Sequence, residues 1–175
     1  MLFNSPEFVI FFTFIIAAII VFKNKKFQHL LILFASYLFY YYSGTFYLSL
    51  LVASTLINFW FGKMIHNTSS KNKKIIFSIS MAFNLGLLGF FKYVNFFVEQ
   101  VNSGLTFVGI QQISFLEIAL PIGISFYTFH SMGYLIDIYR KQISPSESFL
   151  DYSIYVAFFP QLVAGPILRA KQFLP

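Results

Sequence analysis

Two apolar stretches, residues 120–140 and 158–170, carry the side chains of this chain that could do chemistry. On a helix, steps of three and four residues place one polar stripe on a single face of the first stretch. The stripe consists of Gly123, Tyr127, His130, Tyr134, Asp137 and Lys141. Because polar groups are costly in hydrocarbon, such a face meets protein or water. Two interpretations remain open: the stripe lines a substrate path, or it forms hydrogen bonds with a neighbouring helix.

The second stretch carries proline, glycine and polar residues where a plain membrane anchor would carry leucine. Pro160 and the pair Gly165–Pro166 interrupt it, since proline lacks a backbone donor and disfavours helix in the preceding residue. Membranes tolerate such breaks where protein or water satisfies the backbone, and broken helices often mark binding sites. Gln161 and Arg169 flank the break. Arg169 either binds an anionic group or anchors the segment at the membrane interface.

Other patterns of catalytic or metal-binding residues do not occur in the sequence. Cysteine is absent, which excludes disulfides, thiolate nucleophiles and cysteine metal sites. There is no G-x-S-x-G nucleophile elbow, glycine-rich phosphate loop or zinc pattern. The histidines are His29, His66 and His130, and His66 has no acidic or histidine neighbour at ligand spacing. We therefore predict no metal site and no bound cofactor.

Composition predicts the class of protein that must position these residues. Hydrophobic residues make up 58% of the chain and charged residues 10%, and the mean hydropathy is +0.73. Soluble domains average about 25% charged residues. We therefore predict an all-α integral membrane protein, a single domain surrounded by the lipid bilayer.

The apolar runs predict a polytopic protein of about five transmembrane helices plus the proline-broken sixth segment, although several runs are shorter than the roughly 20 residues of a perpendicular span. The predicted spans are 8–22, 30–42, 46–62, 75–91 and 116–138. Residues 63–74 and 102–104 are predicted loops. Gly86 and Gly89 are candidates for close helix contact.

Capping residues predict where several helices begin. Asn4 or Ser5 can cap the first helix, with Pro6 in its first turn. Before the last segment, two starts compete, because Ser144 opens a capping-box pattern and Ser148 offers a second cap four residues later.

The distribution of lysine predicts the orientation of the chain. An external N-terminus places seven lysines on the cytoplasmic side of the first four loops and Lys92 alone outside, as the positive-inside rule requires. The seven are Lys23, Lys25, Lys26, Lys63, Lys71, Lys73 and Lys74. This bias explains the net charge of +6 without nucleic acid. We predict a multi-pass protein of the inner or plasma membrane.

The motifs LPIGISFYTFHSMGYLIDIYR and FLDYSIYVAFFPQLVAGPILRA resemble the membrane-bound O-acyltransferase (MBOAT) family, and within it the alginate O-acetyltransferase-like bacterial branch. MLFNSPEF, LLILFASYLFYYYSG and FNLGLLGFFKYVNFF also fit that branch, so the resemblance spans the whole chain. At His130 we expect glutamine in relatives, so the role of this histidine does not follow from the family.

The resemblance implies a membrane enzyme that moves an acyl group, acetyl by default, to hydroxyls of an exopolysaccharide or cell-wall polymer. The donor would be acetyl-CoA or a carrier-protein thioester, and an extracytoplasmic acyltransferase a further partner. The family's tunnel makes Tyr127, His130, Tyr134, Gln161 and Arg169 lining candidates. Pro121, Gly123, Pro160, Gly165 and Pro166 then shape the tunnel wall.

The resemblance also implies that the catalytic histidine of the family lies beyond residue 175. The chain ends directly after VAGPILRA, where relatives continue, so we expect an incomplete MBOAT fold that is inactive alone. Two other functions remain possible from the residues. A small transporter would show substrate flux without acyl chemistry, and an assembly subunit would tolerate alanine at Tyr127, His130 and Gln161.

Overall fold

The computed structural model describes residues 5–42, 44–111, 113–114, 118–165 and 168–174, and within them it is helical without strands. The described helices are α1 (Pro6–Val21), α2 (Lys25–Tyr41), α3 (Thr45–Asn67), α4 (Ser70–Phe107), α5 (Ile124–Tyr139), α6 (Phe149–Ala157), α7 (Phe159–Ala164) and α8 (Ala170–Phe173). The predicted all-α class is confirmed.

Side-chain caps start several helices. The Oγ atom of Ser5 accepts the backbone N–H of Phe8 at 3.2 Å, and Pro6 occupies the first turn of α1 as predicted; Asn4 lies outside the described residues. Ser148 caps α6 by accepting the backbone N–H of Asp151 at 3.2 Å. Of the two competing starts, the later one is therefore used, and Ser144 lies in the preceding loop.

Two segments that were predicted to be loops are almost entirely helical, because α3 and α4 are longer than the apolar runs. Of residues 63–74, only Thr68 and Ser69 are not helical, and lysine is a good helix former. Residues 102–104 lie inside the 38-residue helix α4. Asn102 does not end this helix because its side chain bonds elsewhere. Its Oδ1 accepts the backbone N–H of Ile113 at 2.8 Å, and its Nδ2 donates to the Ile113 carbonyl at 3.1 Å.

Helix α5 begins later than the predicted span. Residues 118–123 are not helical, and the helix starts at Ile124 behind Gly123, whose φ is +75°. Asn95 of α4 holds this extended approach: its Nδ2 donates to the carbonyl of Ile118 at 2.8 Å, and its Oδ1 accepts the N–H of Ile118 at 3.1 Å. The hydroxyl of Tyr40 donates to the carbonyl of Ile122 at 2.6 Å.

Helices α3 and α4 match the length and composition of membrane-crossing helices. The spans are Thr45–Asn67 and Asn72–Phe107, and α1 is a shorter apolar helix. Large apolar side chains of α1 and α4 remain exposed, an unusual surface for a soluble monomer. They include Ile10, Phe14, Ile20, Ile75, Phe90 and Phe97. A total of five spans stays a prediction.

Helix α5 lies at the centre of the fold, with α3, α4, α6, α7 and α8 packed around it. A close contact joins α3 to α5 at Gly62, where an added Cβ would lie 2.7 Å from the Tyr134 ring. Gly86 and Gly89 instead face open space, so the prediction that they mediate helix contact is wrong for the described residues.

A candidate site where α5 meets the broken helix

The polar stripe of α5 faces protein rather than solvent along most of its length. Tyr127, His130, Tyr134 and Asp137 are buried, with exposed fractions between 0% and 7%. Lys141 lies beyond the helix and is exposed. The predicted stripe thus becomes the contact face of the central helix.

His130 is joined to the broken helix by a hydrogen bond. Its Nε2 lies 2.9 Å from the Nε2 of Gln161 in α7, and both side chains are buried. Because an amide nitrogen only donates, Nε2 of His130 accepts and the ring proton lies on Nδ1. Nδ1 makes no hydrogen bond with any residue that the structure describes. A buried donor without a partner is rare in folded proteins. This imidazole therefore has one nitrogen fixed and the other available.

Helix α2 satisfies the backbone at the predicted break. Phe158 adopts a non-helical conformation between α6 and α7, and Pro160 lies in the first turn of α7. The freed backbone N–H of Phe159 donates to Ser36 Oγ at 3.3 Å, and Ser36 in turn donates to the carbonyl of Ile32 at 2.8 Å. This hydrogen bond seals the break at Phe158 with protein, as we expect of a broken segment in a membrane.

Glycine allows the two elements of the site to approach each other. An added Cβ at Gly123 would lie 2.9 Å from the carbonyl oxygen of Leu162, and the positive φ independently favours glycine. Gly165 ends α7, where an added Cβ would meet Gln161 Cγ at 2.7 Å. Pro121 is buried and its carbonyl accepts the N–H of Ile124 at 3.2 Å. Pro166 lies outside the described residues.

Tyrosines surround the pair and differ in how fully their hydroxyls are used. Tyr134 accepts the backbone N–H of Ser146 at 3.0 Å. The Tyr155 hydroxyl lies 3.1 Å from the carbonyl of Leu168 and 3.3 Å from that of His130, so one proton serves either acceptor. The Tyr127 hydroxyl, close to Tyr40, makes no hydrogen bond of good geometry within the described chain. Tyr134 thus stabilises the loop after α5, whereas the hydroxyl of Tyr127 can still donate or accept a hydrogen bond.

Arg169 forms no described hydrogen bond or ion pair with the His130–Gln161 pair or its tyrosines. It is exposed at the N-cap of α8, and its side chain forms no ion pair with a described residue. The structure thus brings His130 and Gln161 together, with Tyr127 and Tyr134 on the same helix face, and does not bond Arg169 to them.

Two polar contacts between distant helices were not predicted from the sequence. Asn58 of α3 and Asn84 of α4 exchange amide hydrogen bonds of 3.1 and 2.7 Å. His29 Nδ1 lies 2.7 Å from Asp151 Oδ1, linking α2 to α6. Each asparagine within an apolar run signals a buried polar contact, but its partner is not visible in the sequence. The described residues form no cluster of three His, Cys, Asp or Glu residues suited to a metal ion.

Comparison with known proteins finds relatives that are named for O-acetylation. The chain is 36% identical over 178 residues to the "Probable alginate O-acetylase AlgI" of Pseudomonas aeruginosa, covering 99% of this chain and 34% of the relative. It is 35% identical to the protein of that name in Pseudomonas putida, over 99% of this chain and 36% of the relative. It is 32% identical over 207 residues to the "Peptidoglycan O-acetyltransferase" of Helicobacter pylori, covering the whole chain and 38% of the relative.

The chain spans about a third of the length of the curated relatives it matches. No family model and no solved structure matches it. These relatives confirm the resemblance to the alginate O-acetyltransferase-like branch of the membrane-bound O-acyltransferase family.

Proposed function

We propose that this chain is the N-terminal portion of a membrane O-acyltransferase that moves an acyl group, acetyl by default, to hydroxyls of an extracytoplasmic polysaccharide. The observation that carries the proposal is its similarity, over nearly its entire length, to relatives named for O-acetylation of alginate and of peptidoglycan. The acceptor is accordingly an exopolysaccharide or a cell-wall polymer. An extracytoplasmic acyltransferase is the protein partner that we propose.

The chemistry of the reaction divides the work between this chain and the rest of the enzyme. An acceptor hydroxyl attacks the carbonyl carbon of acetyl-CoA or a carrier-protein thioester, a base takes its proton, and the thiolate leaves. We place the base, a histidine, beyond residue 175, so the isolated chain is inactive. The chain contributes the wall along which donor and acceptor meet.

The buried pair supports this role as a wall. The Nδ1–H of His130 and the hydroxyl of Tyr127 are donors with unused capacity, suited to an ester or hydroxyl oxygen that reaches the site. Gln161 fixes the imidazole, and Tyr134 holds α5 to the following loop. Arg169, exposed at the N-cap of α8, binds an anionic group or anchors the wall at the interface.

The membrane arrangement of the proposal has several spans, with the N-terminus outside, in the inner or plasma membrane. Helices α3 and α4 are long and apolar enough to cross, and the short connection between them lies in the lysine-rich part of the chain. The positive-inside rule places that connection in the cytoplasm.

A chimera tests the proposal. Residues 1–175 are joined to the remaining part of the Pseudomonas aeruginosa relative and expressed in a strain lacking that relative, and alginate O-acetyl content is measured. The chimera should restore O-acetylation, and residues 1–175 alone should not. Acetylation by residues 1–175 alone, or an inactive chimera that inserts at normal levels, would contradict the proposal.

Variants of the chimera test the wall. Gln161→Ala should lower O-acetylation about tenfold or more, because a misplaced wall displaces the reacting groups. Gln100→Ala, an exposed position on α4, is the matched control and should leave it unchanged. Equal effects of the two substitutions would contradict the assignment of Gln161 to the wall.

A further inference from the structure

A cleft lies at the end of the molecule that contains the connection between α3 and α4. It has a volume of about 280 Å³, slightly below the roughly 300–1,000 Å³ of typical small-molecule sites. Three separate parts of the fold form it: the last turn of α3, the first turn of α4 and the loop after α5. Its lining residues are His66, Lys73, Lys141, Gln142, Ile143 and Ser144.

This cleft is basic and has no carboxylate in its lining. Lys73 and Lys141 form no ion pair within the part of the chain that the structure describes. Of the acidic residues near Lys141 in sequence, Asp137 is buried in α5, and Glu147 and Asp151 line a different cleft of about 630 Å³, where Lys171 accompanies them. Ile143 and Ser144 line both clefts and so separate them. Two lysines that line one cleft without a carboxylate repel each other, and a bound anion relieves that repulsion.

The two lysines are held in position by local structure. Lys73 Nζ lies 5.5 Å from the centroid of the Tyr139 ring, a cation–π contact, and Tyr139 stacks on Phe77 at 4.2 Å. Lys141 has a φ of +59°, a conformation rarely adopted by residues with side chains.

The hydrogen bonds around Lys141 show where this unusual conformation occurs. The Lys141 N–H donates to the carbonyl of Ile138 at 3.0 Å, and the Gln142 N–H donates to that of Asp137 at 2.9 Å. This is the Schellman pattern, whose left-handed position is usually glycine. A lysine at this position is more strained than a glycine would be. Strained backbone of this kind clusters at ligand sites.

We infer that this cleft binds a phosphate group, with Lys73 and Lys141 as its cationic contacts and Gln142 and Ser144 as hydrogen-bond donors. Phosphate suits the site because its oxygens accept several charge-assisted hydrogen bonds at once. The phosphate belongs either to an anionic lipid headgroup or to a soluble phosphorylated molecule. The inference is independent of the proposed acyl transfer, because the cleft shares no residue with the His130–Gln161 pair.

Binding measurements on the purified protein test this inference and separate the two sources. Inorganic phosphate and pyrophosphate are titrated into the protein in phosphatidylcholine nanodiscs by calorimetry. A fluorescent phosphatidic acid is titrated in detergent micelles by anisotropy. Saturable binding of the soluble probes identifies a soluble source, and saturable binding of the lipid alone identifies a headgroup. Failure of all three probes to saturate the protein overturns the inference.

Lys141→Gly is the most informative variant. It removes the charge while supplying the residue that the left-handed conformation favours, so the melting temperature should stay equal or rise while affinity falls about tenfold. Lys73→Gln should also lower affinity about tenfold, and it provides a second test if Lys141→Gly alters folding.

Lys25→Gln and Lys74→Gln are the matched controls. Both remove an exposed lysine that does not line the cleft. Their affinities should remain within about twofold of wild type, since neither ammonium group lines the cleft and salt screens charges at a distance from it. A loss equal to that of the cleft variants would show non-specific charge attraction and overturn the site.

Discussion

Among the polar contacts between helices, the Asn58–Asn84 and His130–Gln161 contacts differ in how completely their groups are satisfied. Between α3 and α4, Asn58 and Asn84 exchange two amide hydrogen bonds, and each also donates to a carbonyl four residues earlier, of Ser54 at 2.9 Å and Ser80 at 2.8 Å. Between α5 and α7, His130 accepts one bond from Gln161 and keeps a buried Nδ1 without a described partner.

The number of unsatisfied hydrogen-bonding groups distinguishes these two contacts. A saturated network in a low dielectric stabilises one arrangement of two helices and has no bonding capacity left for a ligand. A buried donor without a partner lowers the stability of the folded protein, and a hydrogen bond to that donor recovers the loss. The α3–α4 contact is therefore a saturated structural clamp, and the α5–α7 contact is a buried contact with one described donor, His130 Nδ1–H, left over.

The largest expected effect comes from breaking the α5–α7 contact through its backbone. Gly123→Ala should destabilise the protein by about 2–4 kcal/mol, because it adds left-handed strain to a clash with the Leu162 carbonyl. The measurement is the free energy of unfolding in micelles. Gly86→Ala is the control, since open space surrounds it and alanine favours helix. Equal losses at both glycines would refute the close approach.

Breaking the clamp should have the next largest effect. Asn58→Leu leaves the amide of Asn84 without its partner and should cost about 1–2 kcal/mol of unfolding free energy. The double variant Asn58→Leu/Asn84→Leu should recover most of this loss, because neither polar group then remains buried. A double variant as unstable as the sum of both single variants would show that the amides do not act as a pair.

Removing the seal of the break should have a smaller effect. Ser36→Ala leaves the buried N–H of Phe159 unsatisfied and should cost about 1 kcal/mol in unfolding free energy. Ser49→Ala is the matched control, since its hydroxyl is exposed and bonds only its own helix. A loss of similar size at Ser49 would mean that Ser36 acts through helix propensity alone.

The smallest effect is expected from the conservative substitution His130→Gln. His130→Gln keeps an acceptor for the Gln161 amide and leaves an unpartnered amide NH2 in place of the unpartnered Nδ1–H, so unfolding free energy should change by less than about 0.5 kcal/mol. His130→Ala removes the acceptor and leaves a cavity, and should cost about 2 kcal/mol. If glutamine proved as destabilising as alanine, the imidazole ring would be needed for packing and the comparison with the clamp would fail.

Local patterns in the sequence predicted the parts of the fold that depend on local physics. Ser5 and Pro6 start α1 as expected, and helical spacing placed Tyr127, His130 and Tyr134 on one buried face. The break at Pro160 was also expected. Each of these features follows from the residue itself and its neighbours within one or two turns.

Features that depend on distant partners could not be predicted in this way. Asn102 looked like a loop residue, but the backbone of Ile113 satisfies its amide and α4 continues through it. Ser144 and Ser148 offer equivalent caps by local pattern, and only Ser148 caps α6. Spacing likewise identified His130 as buried without identifying Gln161, 31 residues away, as its partner.

The seal of the break also sets an order of assembly. The hydroxyl that satisfies Phe159 belongs to Ser36, 123 residues earlier in the chain, and the Phe159 ring lies 5.6 Å from that of Phe11 and 5.5 Å from that of Phe39. Chains emerge from the ribosome N-terminus first. Helices α1 and α2, which supply the hydroxyl and the ring contacts, are therefore synthesised before the broken segment that packs against them.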